Sequence, residues 1–406
     1  MTHQFLPGMG PSRTFLGKAS GREYGEVCSD PKAGIDIPEL NSLALQSLIS
    51  LYGEKERLFS HCITLADREF HKDRPSPKRT VIALLGLHRL EESGGITPFD
   101  SAAIREAVLN DKSWVNGVEE LGLLTWFVAL CAPNLMESLL DEFDFEKAIA
   151  VYPDGRQAQT KALAWFLAGI SHARLACPDM PADLTDVAVD VYRLLRDNQS
   201  EDGLLGHATR TRYPRRIFHT RLGTFSDQVC AIYALSTFAR AFQIEEPLES
   251  ALNCANSICA LQGEMGQWWF LYDKRAGRVV SRYPVFSSQQ DGMAPCALLA
   301  LEEATGQSFQ KAILKGLAWI TGANELGQDL RNPEDGLIWD SLKPLGRWAK
   351  YRRGAFDFVG RSGASGSDGL GIQYEARPDH FGWLLYAFGK LGLPKPLAAA
   401  KAAATR

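Results

Sequence analysis

The sequence predicts an all-α protein, an (α/α)6 barrel or toroid of six helical hairpins with a small β-hairpin flap at its mouth. Three observations predict it. Helical segments of two kinds alternate, one apolar around nearly its whole circumference and one amphipathic. A repeat recurs in which Asp227 and Asp291 open matching helices. Connections are long at one end of the hairpins and short at the other. A helix that is apolar all round needs neighbours on every side, and a closed double ring supplies them. An open α-solenoid is the alternative if the hairpins do not close.

In chain order, residues 1–38 read as an irregular leader without the continuous apolar core of a signal peptide. The toroid domain takes residues 39–393, and 394–406 form a C-terminal tail. Outer helices are expected to start near 40, 102, 138, 184, 248 and 310. Inner helices are expected near 79 ("RTVIALLGLHRLEE"), 119, 159, 227 ("DQVCAIYALSTFARAF"), 291 ("DGMAPCALLALEEATG") and 379. The stretch 183–199 shows the outer type: Val187, Val191, Leu194 and Leu195 form one stripe, while Asp186, Asp190, Arg193 and Asp197 face water. Gln199 and Gln262 close matching outer helices, and Asp202-Gly203 and Asp335-Gly336 punctuate equivalent loops, where glycine permits a left-handed turn.

Inner-to-outer connections are short, as at 178–182, 243–247 and 307–308. Outer-to-inner connections run over 200–225, 262–290 and 322–378, and their Trp, Tyr, Phe and Arg content marks them as functional rather than disordered. All three should lie on one face, above the inner-helix N-termini, where backbone N–H groups and helix dipoles favour anions.

Composition excludes several classes. A formal net charge of -4 over 406 residues predicts no nucleic-acid partner. The most apolar stretch, 121–136, is too short to span a bilayer and is broken by Pro133, so no membrane span is expected. Eight cysteines, none in a CxxC pair, read as reduced, mostly buried thiols of a cytoplasmic protein. There is no P-loop, GxSxG elbow or HExxH motif, and no GxGxxG following a strand, so no cofactor is expected. The oligomeric state stays open.

Several residues are candidates for chemistry. Asp227 and Asp291 sit at inner-helix starts, where each reads either as an N-cap or as one of a pair of acid–base carboxylates. His207, His219, Tyr213 and Tyr283 fit proton transfer beside a carboxylate. His61, His71, His88 and His172 are expected within helices away from the site. Trp268, Trp269, Phe270, Tyr272, Tyr283 and Phe286 flank the turn "KRAG" in a β-hairpin over the mouth, and read either as a ligand wall or as a plug. Arg210, Arg212, Arg215 and Arg216, and then "RWAKYRR" at 347–353, read as solvated basic loops or as guanidinium forks for an anionic ligand. Gln290, Asp340 and Asp202 complete the candidates for substrate contact.

The hairpin count, buried inner helices and Asp-Gly loops resemble the six-hairpin superfamily of glycoside hydrolases, unsaturated glucuronyl hydrolases, polysaccharide lyases and sugar epimerases. The layout also resembles terpenoid cyclase and protein prenyltransferase toroids, and Gln262-x3-Gly266-x-Trp268 matches the tail of the triterpene-cyclase QW repeat. "GQWWFLYDKRAGRVVSRYPVFSSQQDGMAPCALLAL" is similar to uncharacterised bacterial proteins of polysaccharide-biosynthesis clusters. The DxDD and DDxxD motifs of the cyclases and terpene synthases are missing. Asp227, Cys230 and His380 imitate the zinc set of the prenyltransferases, but Cys230 is more simply a small core residue, and no metal is expected.

These resemblances, with the two basic loops pointing to an anionic ligand, imply an enzyme acting on an acidic, uronate-type saccharide by hydrolysis, elimination or epimerisation in polysaccharide metabolism. The alternatives are an isoprenoid- or prenyl-diphosphate-binding toroid and a non-catalytic glycan- or protein-binding scaffold.

Overall fold

The computed structural model describes residues 35–150, 152, 158–209, 217–345 and 369–394. Most of the expected leader, the arginines at 210, 212, 215 and 216, the basic segment 347–353 and nearly all of the tail lie outside these residues.

Six inner helices begin close to where the apolar runs begin: α2 (Pro77–Glu92), α4 (Val118–Cys131), α7 (Thr160–Ala176), α10 (Phe225–Phe242), α12 (Ala294–Thr305) and α14 (Pro378–Phe388). The outer layer is α1 (Ile37–Leu51), α3 (Ser101–Asn110), the pair α5 (Met136–Glu142) and α6 (Phe145–Ala150), α8 (Ala182–Asp197), α11 (Glu246–Ala260) and α13 (Gln310–Ile320). A short α9 (Ile217–Arg221) lies between α8 and α10. Inner helices pack in the cyclic order α2, α4, α7, α10, α12, α14 and back to α2, so the ring closes and the solenoid alternative fails. Proline in the first turn of α1, α2, α11, α12 and α14 starts these helices where its missing N–H costs nothing.

Two junctions of the ring are drawn to backbone contact by glycine. A Cβ on Gly122 of α4 would lie 2.3 Å from Phe166 Cα of α7, and one on Gly169 of α7 would lie 2.2 Å from the Gly122 carbonyl oxygen. Gly86 of α2 and Gly382 of α14 meet in the same way, 2.3 Å from a would-be Gly86 Cβ to the Gly382 oxygen, where the last inner helix meets the first.

The repeat is physical as well as textual. Gln199 Nε2 donates to the carbonyls of Gly203 and Ser250, and Gln262 Nε2 donates to those of Gly266 and Ala312. In each hairpin one amide therefore clamps a loop glycine and the next outer helix. Gly203 and Gly266 both have positive φ and press on that next helix, at Asn253 and Lys315.

The mouth carries more β-structure than one hairpin. Its strands are β1 (Tyr52–Gly53), β2 (Leu58–Phe59), β3 (Ile63–Ala66), β4 (Glu69–Lys72), β5 (Leu222–Thr224), β6 (Leu271–Asp273), β7 (Arg278–Ser281), β8 (Val285–Phe286), β9 (Arg331–Asn332), β10 (Leu337–Ile338), β11 (Ser341–Pro344), β12 (Leu370–Gln373) and β13 (Glu375–Ala376). They form three-stranded sheets β5-β6-β7, β12-β11-β8 and β13-β3-β4, and two pairs. The predicted hairpin is β6–β7, but its turn is tied to the outer layer: Lys274 Nζ donates to the backbone and side-chain oxygens of Asn198. His71 lies on β4 and His61 in the bend between β2 and β3, neither of them in a helix.

Candidate functional site

Aromatic and sulfur side chains of the inner helices line a small, largely apolar central pocket. Trp126, Trp165 and Trp383 come from α4, α7 and α14; Val229, Cys230 and Tyr233 from α10; Met293 from the turn before α12 and Cys296 from its start. Trp126 stacks on both His172 and Tyr233, with ring centroids 5.0 and 4.7 Å away, and those two rings lie 6.1 Å from each other. Below it His172 Nε2, Tyr233 Oη and Tyr386 Oη form a chain with spacings of 2.9 and 2.7 Å. Burial, with the charges of Arg89 and Arg240, pushes the His172 pKa down to about 3, so this histidine is a neutral part of the floor. Burial pushes the thiols of Cys230 and Cys296 up to about 12, and Cys230 Sγ accepts the Trp165 indole N–H at 3.2 Å.

At the mouth, Asp227 is both cap and partner. It closes a capping box at the start of α10: its Oδ2 accepts from Thr224 N (2.8 Å) and Thr224 Oγ1 (2.7 Å), while its own N–H reaches Thr224 Oγ1. The same Oδ2 accepts from His207 Nδ1 at 3.0 Å. That hydrogen bond, opposed by burial, raises the His207 pKa above the usual histidine value. The ring of His219, on α9, lies 5.8 Å from that of His207.

Asp291 is not a cap. It sits in a π-helical turn, Gln289–Met293, that leads into α12, and its Oδ1 accepts from His380 Nε2 at 2.7 Å. Burial would lower the His380 pKa, but the Asp291 charge and hydrogen bond, with Asp340 and Asp379 adding to them, raise it. Asp340 is buried beside them, and burial raises its pKa against the opposing charge of Arg377. Arg377 Nε stands 3.7 Å from Asp340 Oδ1 but is held at 2.7 Å by Glu375. Next to this group Arg79 is paired with Asp379 and donates to His61 Nδ1 at 3.2 Å. On the α2, α4 and α7 side, Glu119 Oε1 accepts from Lys78 (2.7 Å) and pairs with Lys161 (3.0 Å), and both ammoniums lie over Trp165. Burial would raise the Glu119 pKa, yet these two lysines hold it below the ordinary value.

Several expected contacts go elsewhere. Trp268 and Tyr272 are fully buried against Phe225 and belong to the core, which rules them out as an open ligand wall. Gln290 is buried too; its amide serves the backbone of Trp268 and Gly266. Trp269 is nearly buried, edge-on to Tyr283 and under Arg282. The Tyr283 hydroxyl donates to Glu325 at 2.7 Å, and burial with that carboxylate raises its pKa, so it is braced against the rim rather than poised as an acid. Asp202 is exposed in its hairpin-end loop, away from the paired carboxylates. Asp227, Cys230 and His380 do not converge, since each has a different partner; among the described residues no group of three or more His, Cys, Asp or Glu side chains is placed to hold a metal.

Residues that the sequence did not single out complete the site: Lys78, Glu119 and Lys161 at inner-helix starts, Gln289, and the three lumen tryptophans. First-turn position was the available signal for the charged ones. For Trp126, Trp165 and Trp383 there was none, because in a helix apolar all round every face looks inward.

No protein-family model matches the sequence, and no curated protein is similar to it. Solved structures are. A possible member of the GH105 family from Klebsiella pneumoniae has 12% identity and a TM-score of 0.57, over 86% of this chain and 91% of that one. A sugar epimerase from a ruminal bacterium has 10% identity and a TM-score of 0.57, over 87% and 100%. The unsaturated glucuronyl hydrolase of Bacillus sp. GL1, responsible for glycosaminoglycan degradation, has 15% identity and a TM-score of 0.53, over 87% and 95%. At such identities the likeness is one of fold, and the chain shares the (α/α)6 toroid of these carbohydrate-active proteins.

Proposed function

We propose that the protein is a carbohydrate-active enzyme that acts on a saccharide by acid–base chemistry at the toroid mouth, through hydrolysis, elimination or epimerisation. The observation that carries this reading is the pair of Asp–His couples, Asp227–His207 and Asp291–His380, at the starts of adjacent inner helices above an aromatic lumen. A histidine whose Nδ1 is fixed by a carboxylate presents its other nitrogen for proton transfer, and indole faces suit the C–H patches of sugar rings. In this reading His207, half-buried, exchanges the proton and Asp227 orients it. An acidic substrate, of uronate type, rests on the arginine segments, which lie outside the described residues. A place in polysaccharide metabolism rests on the resemblance over 262–301. The seven cysteines among the described residues are all free, which fits a reducing, cytoplasmic setting, and no helix among those residues is long and apolar enough to cross a membrane.

The lumen wall favours a second reading, since three tryptophans, a methionine and two neutral thiols also suit an isoprenoid chain. One experiment separates them. Proton NMR in D2O follows uronate-containing and neutral oligosaccharides with the protein: new reducing ends report hydrolysis, a vinyl proton elimination, and solvent deuterium at one ring carbon epimerisation. An unchanged saccharide panel together with thermal stabilisation by prenyl diphosphates would replace the first reading with the second.

A further inference from the structure

Four acceptor oxygens on one side of the mouth have no hydrogen-bond donor among the described residues: Asp227 Oδ1, Gln289 Oε1, Asp291 Oδ2 and Asp340 Oδ2. Their side chains are 4% exposed or less. Ser341 Oγ, fully buried, is also unpaired. Buried acceptors are normally satisfied, so five unpaired oxygens in one sector call for an explanation.

The backbone strings these groups into an arc. Gln289 Nε2 donates to Ser226 Oγ (3.3 Å), the neighbour of Asp227. Asp291 follows two residues later in the same π-helical turn, whose Met293 lines the lumen. Such turns replace regular helical hydrogen bonding and occur often at functional sites. Ser287 donates its N–H to the Asp340 carbonyl (2.7 Å), Ser341 pairs with Phe286, and His380 lies between Asp291, to which it is bonded, and Asp340, whose charge it feels.

The chemistry of the missing partner follows from the sign of the groups. Four of the five are carboxylate or amide oxygens, which accept, so the partner must bring donors; a carboxylate or phosphate brings acceptors instead, and an isoprenoid chain has no donor to offer. We infer that this arc is a hydroxyl-reading subsite that takes a vicinal diol of a sugar ring, and that any acidic group of the saccharide lies outside it. The inference rests on the saccharide reading above and adds which part of the ligand meets these residues.

The test uses the full chain with methyl glycosides of glucose, galactose and mannose, their monodeoxy analogues, and the variants Ser341→Ala and Asp340→Asn, followed by calorimetric titration and thermal unfolding. We expect one glycoside to bind, its least favourable deoxy analogue to bind at least tenfold more weakly, and both variants to weaken binding by a similar factor. The unfolding midpoint should hold in Ser341→Ala, which breaks no hydrogen bond among the described residues, and should fall in Asp340→Asn, which takes away the charge facing Arg377 and His380. No binding of any glycoside, equal binding of the deoxy series, or variants that lower the midpoint and leave affinity unchanged would each overturn the inference. A crystal soaked in the bound glycoside that shows water on these oxygens would do the same. Hydroxyl-dependent binding without turnover in the NMR assay sinks the catalytic reading and leaves the subsite standing; turnover indifferent to both variants does the reverse.

Discussion

His380 Nε2 donates to Asp291 Oδ1 over 2.7 Å in a place where both side chains are shut off from solvent. The bond ties the first turn of α14 to the π-helical turn before α12, so it joins two neighbours in the inner ring. Breaking a buried pair leaves an uncompensated group, and Asp291→Ala should cost about 3–5 kcal/mol in denaturant unfolding. The pair also makes stability depend on pH. Because the folded His380 pKa is raised, its stabilisation is complete below the ordinary histidine value of about 6.5 and is lost as pH rises through the higher folded value. The difference in unfolding midpoint between wild type and Asp291→Asn should therefore be larger near pH 6 than near pH 9, on the order of 6.5 lying between them. An equal difference at both would contradict the pairing.

The Asp227–His207 couple predicts a separation of stability from activity. His207→Gln leaves the capping box intact, so the midpoint should move little, while turnover of a saccharide substrate should fall by about 10²–10⁴-fold. Thr224→Ala removes the cap and should cost about 1 kcal/mol. Its effect on turnover should be the smaller of the two. The reverse pattern, found by measuring kcat and unfolding side by side, would make His207 a structural residue.

The sequence made the ring legible because an apolar-all-round helix leaves few architectures open, and the six inner starts follow from that alone. It also made Asp227 and Asp291 legible, since an acid just before an apolar run stands out. Their roles were hidden for a physical reason: the partner of Asp291 comes from 89 residues away, and nothing local marks it. Trp268 and Tyr272 read equally as ligand wall or plug because they lie in a long loop, and the sheet β5-β6-β7 folds that loop onto Phe225 and buries them. The strands themselves, many only two residues long, are below what alternation can reveal.

The repeated glutamine clamp predicts matched costs at two distant sites. Gln199→Ala and Gln262→Ala each remove two side-chain hydrogen bonds to backbone carbonyls, so each should destabilise by about 1–3 kcal/mol. The sites share no partner, and the double variant should be additive within about 0.5 kcal/mol. A large difference between the single variants in urea unfolding would mean that the two hairpins are alike in sequence only.

Closure of the ring predicts where the fold tolerates least. At Gly86 and Gly382 the backbones of α2 and α14 touch, and an added Cβ has only backbone to displace: the Gly382 oxygen for one, the Ile82 oxygen at 2.4 Å for the other. Neither helix can yield without moving the groups it positions, Lys78 and Arg79 on α2 and His380 on α14. Gly382→Ala should therefore destabilise by about 1–3 kcal/mol or more, well beyond the gain in helix propensity of roughly 1 kcal/mol that alanine brings elsewhere. It should also disturb the His380–Asp291 bond, flattening the pH dependence of the unfolding midpoint. Gly94→Ala, at an exposed turn with nothing within 4 Å of a new Cβ, carries only the strain of its positive φ and should leave that pH dependence intact. If Gly382→Ala is tolerated as well as Gly94→Ala, the two helices are not in backbone contact, and the ring is held shut by side chains instead.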